Sequence, residues 1–274
     1  MSRLCAFQSR NLVASVLVVF GAFSPANAKA NPRPLPFTYI YETLSEGDAE
    51  IEQYVDMTPV RAYSASGNRT WYAASQYQTE FEYGITNRLE LGLYITLVPS
   101  DSAYSLTPTM PEGNGVKQRL HYRLGETDQW PLDIALYGEL SENQREVEIE
   151  AKIIVQRHIG RLRIVANAWA EREFCFNGNR EWVLNPTAGA VFEITPSVPP
   201  GIEYWMRAEY PDGSLPRVFN LGPHHFLGPT LLLQFGKLWW SNGVYVRLNG
   251  YGRPVAVGDN FGNIWLRSVI GIGL

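Results

Sequence analysis

Apolar and polar side chains alternate, residue by residue, over most of this chain. From Arg69 to Ile85, Trp71, Ala73, Ser75, Tyr77, Thr79, Phe81, Tyr83 and Ile85 fall on one face, and Tyr72, Ala74, Gln76, Gln78, Glu80, Glu82 and Gly84 on the other. After Thr86-Asn87-Arg88, Leu89, Leu91, Leu93, Ile95 and Leu97 alternate with Glu90, Gly92, Tyr94 and Thr96. Successive side chains point to opposite faces only in an extended strand, so the pattern is β, and the segments after Lys29 offer no convincing helical window.

Strand length then separates two β architectures. Strands of soluble sandwiches cluster at about 5–6 residues, whereas a tilted strand crossing a bilayer needs about 9–11. The alternation predicts strands near 48–59, 69–85, 89–99, 115–125, 131–142, 145–157, 160–172, 181–195, 200–210, 224–236, 238–250 and 262–274. Most run ten residues or more. Short connections after even-numbered strands and mostly longer ones after odd-numbered strands match an outer-membrane barrel, with short periplasmic turns and longer external loops. The expected fold is therefore all-β: a single antiparallel transmembrane β-barrel of about twelve strands, spanning 48–274. Pro186 and Pro229 fall inside predicted strands and predict bulges or shifted boundaries there. Gln53 and Gln118 fall on the lipid-facing parity. Trp71, Tyr83, Trp130, Trp182, Tyr210, Trp239, Trp240 and Trp265 lie near strand ends, where interfacial girdles sit.

The polar face carries opposite signs on neighbouring strands, as a lumen with paired charges would. Its members are Glu80, Glu82, Glu90, Lys117, Arg119, Arg123, Glu139, Glu146, Glu148, Glu150, Arg161, Arg163, Glu203, Arg207, Arg247 and Arg267. These are the expected lumen-facing selectivity residues, with Glu146, Glu148 and Glu150 expected to pair with Arg161 and Arg163 across one hairpin.

Ahead of the barrel, Arg3 and Arg10 precede the apolar run Leu12 to Phe23, and Ala26-Asn27-Ala28 follows Pro25. This predicts a signal peptide over 1–28, cleaved after Ala28. Residues 29–47 are expected to be a periplasmic lead-in or a short plug at the barrel base. Losing Arg3 and Arg10 leaves 21 basic against 27 acidic residues, a net charge of −6, which gives no basic patch for nucleic acid. With Cys5 gone, Cys175 is the one cysteine of the expected mature chain. No zinc spacing, phosphate-binding glycine loop or nucleophile elbow occurs, so no cofactor, metal or catalytic residue is expected.

The run Thr79-Glu80-Phe81-Glu82-Tyr83-Gly84-Ile85-Thr86-Asn87-Arg88-Leu89-Glu90-Leu91-Gly92-Leu93 resembles a hairpin of Gram-negative outer-membrane barrels, including the phenol-degradation "MetA-pathway" outer-membrane family, and Glu50 to Tyr54 is similar to their first strand. The resemblance implies an outer-membrane barrel with solute passage and brings no catalytic residues. The chain departs from many such barrels in ending on Leu274 instead of an aromatic residue. Ser241-Asn242-Gly243 with His224-His225 superficially resembles outer-membrane phospholipase elements, but a triad is a matter of geometry, and the order here is wrong. The sequence thus favours a passive narrow pore for small solutes. A closed structural barrel stands second and a lipid-modifying enzyme third. The expected partners are outer-membrane lipid, lipopolysaccharide and the assembly machinery.

Overall fold

The computed structural model describes residues 30–63, 69–97, 115–195, 197–212, 223–249 and 262–274, without the side chains of 60–63 and 69–74. The expected leader at 1–28 lies outside these residues, as do most of the longer connections and the side chain of Trp71.

Thirteen strand segments form one antiparallel sheet: β1 (Ala49–Tyr63), β2 (Arg69–Thr86), β3 (Leu89–Leu97), β4 (Gly115–Arg123), β5 (Asp133–Asn143), β6 (Glu146–Ile159), β7 (Leu162–Cys175), β8 (Arg180–Leu184), β9 (Thr187–Phe192), β10 (Pro200–Pro211), β11 (His224–Phe235), β12 (Leu238–Arg247) and β13 (Ile264–Gly273). β8 and β9 are two halves of one stave: both pair with β7 and with β10. β1 pairs with β13 from Glu50↔Gly273 to Met57↔Leu266, closing twelve staves into a barrel. Closure leaves no exposed sheet edge, which a membrane setting requires.

The alternation settles which face is which. Along β5 every second residue from Asp133 to Ser141 is buried, and Leu136, Gly138 and Leu140 between them are exposed. Ile95, Leu120, Leu136, Ile149, Ile153, Ile202, Val244 and Ile270 all stand exposed on the exterior. A contiguous apolar exterior of this extent would be untenable in water and suits lipid. Gln53 sits on it without an unmet amide: its Nε2 donates to the Tyr54 and Gln78 carbonyls at 3.0 Å, and Thr79 Oγ1 donates to its Oε1 at 2.7 Å. Gln118 is exposed.

Two hairpins close through Gly160-Arg161 and Gly236-Lys237, each with the glycine at positive φ (62° and 65°) and in the first turn position, where a type II′ turn needs it. Of the bulges or shifted boundaries expected at the prolines, a boundary appears at Pro186, where the predicted strand 181–195 divides into β8 and β9, and neither proline shifts the register. β8 and β9 keep one register against both neighbours across Asn185-Pro186, and the ladder continues through Asn185 N–H to Trp169 O and Met206 N–H to Pro186 O, both 3.1 Å. At Gly228-Pro229 the pairing to β12 lapses for two residues and resumes unshifted, while Pro229 still pairs with Ile202. A proline costs one donor on one side and need not move the register.

Candidate functional site: the filled lumen

Residues 30–44 run inside the barrel. They enter at the end that carries the turns 87–88, 160–161 and 236–237 and both ends of the strand array, ascend along β1, cross, and descend past β7 and β6. Pro32, Pro34 and Pro36 deny this stretch a ladder, and it contains no strand. Its backbone is satisfied by wall side chains instead. Asn31 N–H donates to Glu50 Oε2 (2.7 Å), Phe37 and Thr38 N–H to Glu203 Oε1 (3.1 and 2.6 Å), Tyr41 N–H to Gln156 Oε1 (3.2 Å) and Leu44 N–H to Glu90 Oε2 (2.6 Å). Asn167 grips Tyr39 from both sides, its Oδ1 accepting the N–H at 2.7 Å and its Nδ2 donating to the carbonyl at 2.9 Å.

The segment's side chains build the core. Phe37 stacks on Trp205 (4.6 Å, 26°) and meets Tyr245 and Trp265 edge-on, with the Arg267 guanidinium 3.8 Å from its ring centre. Leu35, Ile40 and Tyr41 pack with Tyr137, Ile154, Val165 and Val191. The Tyr41 hydroxyl donates to Gly125 O at 2.6 Å. At the exit, Ser45 O lies 2.0 Å from where a Cβ on Gly84 would stand, so only glycine lets the chain pass there.

Around the segment several wall carboxylates are paired with cations, while Glu50 and Glu203 accept only neutral N–H and O–H donors. Arg119, fully buried, donates Nε to Glu80 (2.6 Å), Nη1 to Glu90 (2.7 Å) and Nη2 to Glu82. Arg33, from the segment itself, meets Glu52 at 2.7 Å. Glu52, Glu80 and Glu82 each bring one oxygen within 4.8 Å of the others, and these two guanidiniums counter them. Lys117 pairs with Glu139 (2.8 Å), Arg207 with Glu209, Glu173 and Glu171 (3.1–3.4 Å), Arg267 with Asp56 (2.7 Å), and Lys152 with Glu150. Among the described buried side chains, thirteen are Asp or Glu and three are Lys or Arg.

Several expected placements differ. Arg161 sits exposed in the hairpin turn, away from the lumen. Arg163 opposes His158, not a glutamate, and binds Glu193 (2.6 Å) and Glu42 (3.7 Å). Because the hairpin closes at Gly160, the residues near its turn cannot face Glu146, Glu148 and Glu150 at its open end, where Glu148 opposes Glu173 and Glu150 opposes Glu171. Arg123 lies at the turn-end rim and donates to Asn87 O, and Arg247 reaches Gly262 O at the opposite end. Of the expected girdle, Tyr83, Trp130, Trp182 and Trp240 are exposed, but Trp239 and Trp265 point inward, donating Nε1 to Glu50 and Asp56. Tyr210 is buried beside Met206 and Ala208. Ser241 opposes Leu232 while His225 lies seven positions along β11, about 23 Å at strand rise, so no Ser–His pair forms between them. Glu50, Glu52, Asp56, Gln156 and Asn167, absent from the expected set, are central; the alternation of β1 in Glu50-Ile51-Glu52 carried the signal for the first two.

Solved structures share this architecture. The COG4313 outer membrane channel from Pseudomonas putida F1 superposes with a TM-score of 0.55 at 16% identity, over 85% of this chain and 98% of that one. The NanC porin does so with a TM-score of 0.50 at 10% identity, over 80% and 98%. At such identities the likeness shows the fold alone, a closed antiparallel β-barrel. No family model and no curated protein matches the chain.

Proposed function

We propose that the chain is an outer-membrane barrel that gives small solutes a narrow passive path. The observation that carries this reading is the half of the lumen opposite the short turns. There Lys117, Glu146, Glu148, Arg207 and Glu209 line the wall only half-buried, so water reaches charged groups inside the barrel. A purely mechanical barrel has no need to hold ions where aliphatic packing would serve. The expected selectivity residues on that wall set the field, with Arg207 held among Glu171, Glu173 and Glu209. Delivery through a leader cleaved after Ala28, insertion by the assembly machinery and contact with lipopolysaccharide complete the reading. Kinship with the phenol-degradation family is part of it and rests on the hairpin Thr79 to Leu93. The experiment is single-channel recording in a planar bilayer. Discrete current steps are expected, and a flat trace from protein that still shows heat-modifiable gel migration overturns the pore. The second reading, a closed barrel, is favoured by the segment filling the other half, and that same flat trace is its expected result.

A further inference from the structure

The seat of residues 30–44 has the make-up of a binding site. Its wall presents a row of acceptors (Glu50, Glu90, Gln156, Asn167 and Glu203) to a run of N–H donors, and a buried glutamate to the Arg33 guanidinium. Of the three buried cations in the described structure, one, Arg33, belongs to the occupant, so the wall by itself is still more acidic. None of the bonds that hold the segment's backbone belongs to the ladder, so it can leave without unpairing a single strand. We propose that residues 30–44 are a resident pseudo-ligand: they fill a lumen site that selects cationic N–H donors, and solute passes only when they vacate it. This deepens the pore reading and rests on it. The solute class is one bearing a guanidinium or ammonium group beside amide-like donors, the chemistry that the segment itself offers the wall.

Gly189 supplies the means of testing it. A Cβ on residue 189 would stand 2.6 Å from Leu35 Cδ1 and 2.8 Å from Cδ2, so the two positions are in direct apposition; in a Leu35→Cys/Gly189→Cys pair the sulfur at position 35 takes the place of the leucine Cγ and the sulfur at position 189 the space its methyls leave. Three proteins in a Cys175→Ala background are compared in planar bilayers: the otherwise unaltered chain, the cysteine pair, and a chain lacking residues 30–44. The oxidised pair is expected to carry no potassium current and, once reduced, to match the unaltered chain. The shortened chain is expected to conduct at least ten-fold more than the unaltered one, with a current blocked by argininamide and not by acetate. An oxidised pair that conducts like its reduced form overturns the inference and leaves the pore standing. So does a shortened chain that conducts no better than the unaltered one, or that is blocked by acetate and not by argininamide. Silence from every protein, each still heat-modifiable, overturns both. Should the shortened chain fail to fold, the cysteine pair decides alone.

Discussion

Arg119 anchors a cluster of three buried carboxylates, and its value lies less in the bonds it makes than in what its loss would strand. Three buried carboxylates, Glu80, Glu82 and Glu90, share its guanidinium. Removing one partner of a buried ion pair leaves uncompensated charge at a cost of about 3–5 kcal/mol. Arg119→Gln should therefore lower the temperature at which the folded band converts on gels, and adding Glu82→Gln should recover part of the loss. At the turn end, Arg88 and Glu126 form an exposed pair at 2.6 Å, and the bond from Arg88 holds the Glu126 carboxyl below its usual range. A depressed carboxylate stabilises above its unfolded value, about 4.3, and the benefit is lost as pH falls through the lower folded value. The conversion temperatures of parent and Glu126→Gln should thus differ slightly at pH 6 and converge as the pH falls below the carboxylate range. The effect is small because solvent screens both groups.

The staves show where a local rule yields to the ladder around it. Met206 N–H already donates to Pro186 O, and the proline leaves the reciprocal bond unmade. Pro186→Val should supply that donor and raise the conversion temperature, by about 0.5–1.5 kcal/mol of stability for one hydrogen bond. Alternation made the staves readable in advance, including the division of exterior from lumen, because one buried face and one lipid face impose period two on every strand. It also held enough to place Arg163: a hairpin turning at Gly160 fixes its partner as His158, and pairing by charge alone missed it. The course of residues 30–44 was not readable, for a physical reason. Their partners are single side chains on five staves, 19 to 166 residues away, and such contacts leave no period in the sequence. The inward aromatics were legible by parity and missed by grouping on position alone: Trp239 and Trp240 are adjacent near a strand end, and parity sends one to Glu50 and the other to Ser268 and the exterior.

For the whole molecule, the exterior is where a single charge should be most costly. Ile153 stands exposed midway along β6, between Leu136 and Ala168. An arginine at the middle of a lipid-facing band costs about 2–4 kcal/mol, falling to roughly 0–1 near the interfaces. Ile153→Arg should sharply reduce the yield of heat-modifiable protein, Trp182→Arg near a stave end should do so weakly, and Arg161→Ala in the exposed turn should leave it unchanged. The filled lumen has a mechanical side as well. A thin cylinder resists stretching along its wall but flattens easily, and this one is braced like a wheel: the chain at its hub is tied by spokes to β1, β3, β6, β7 and β10, and packs against β12 and β13. The spokes hold opposite walls at a fixed separation, so without them each stave would be tied only to its two neighbours.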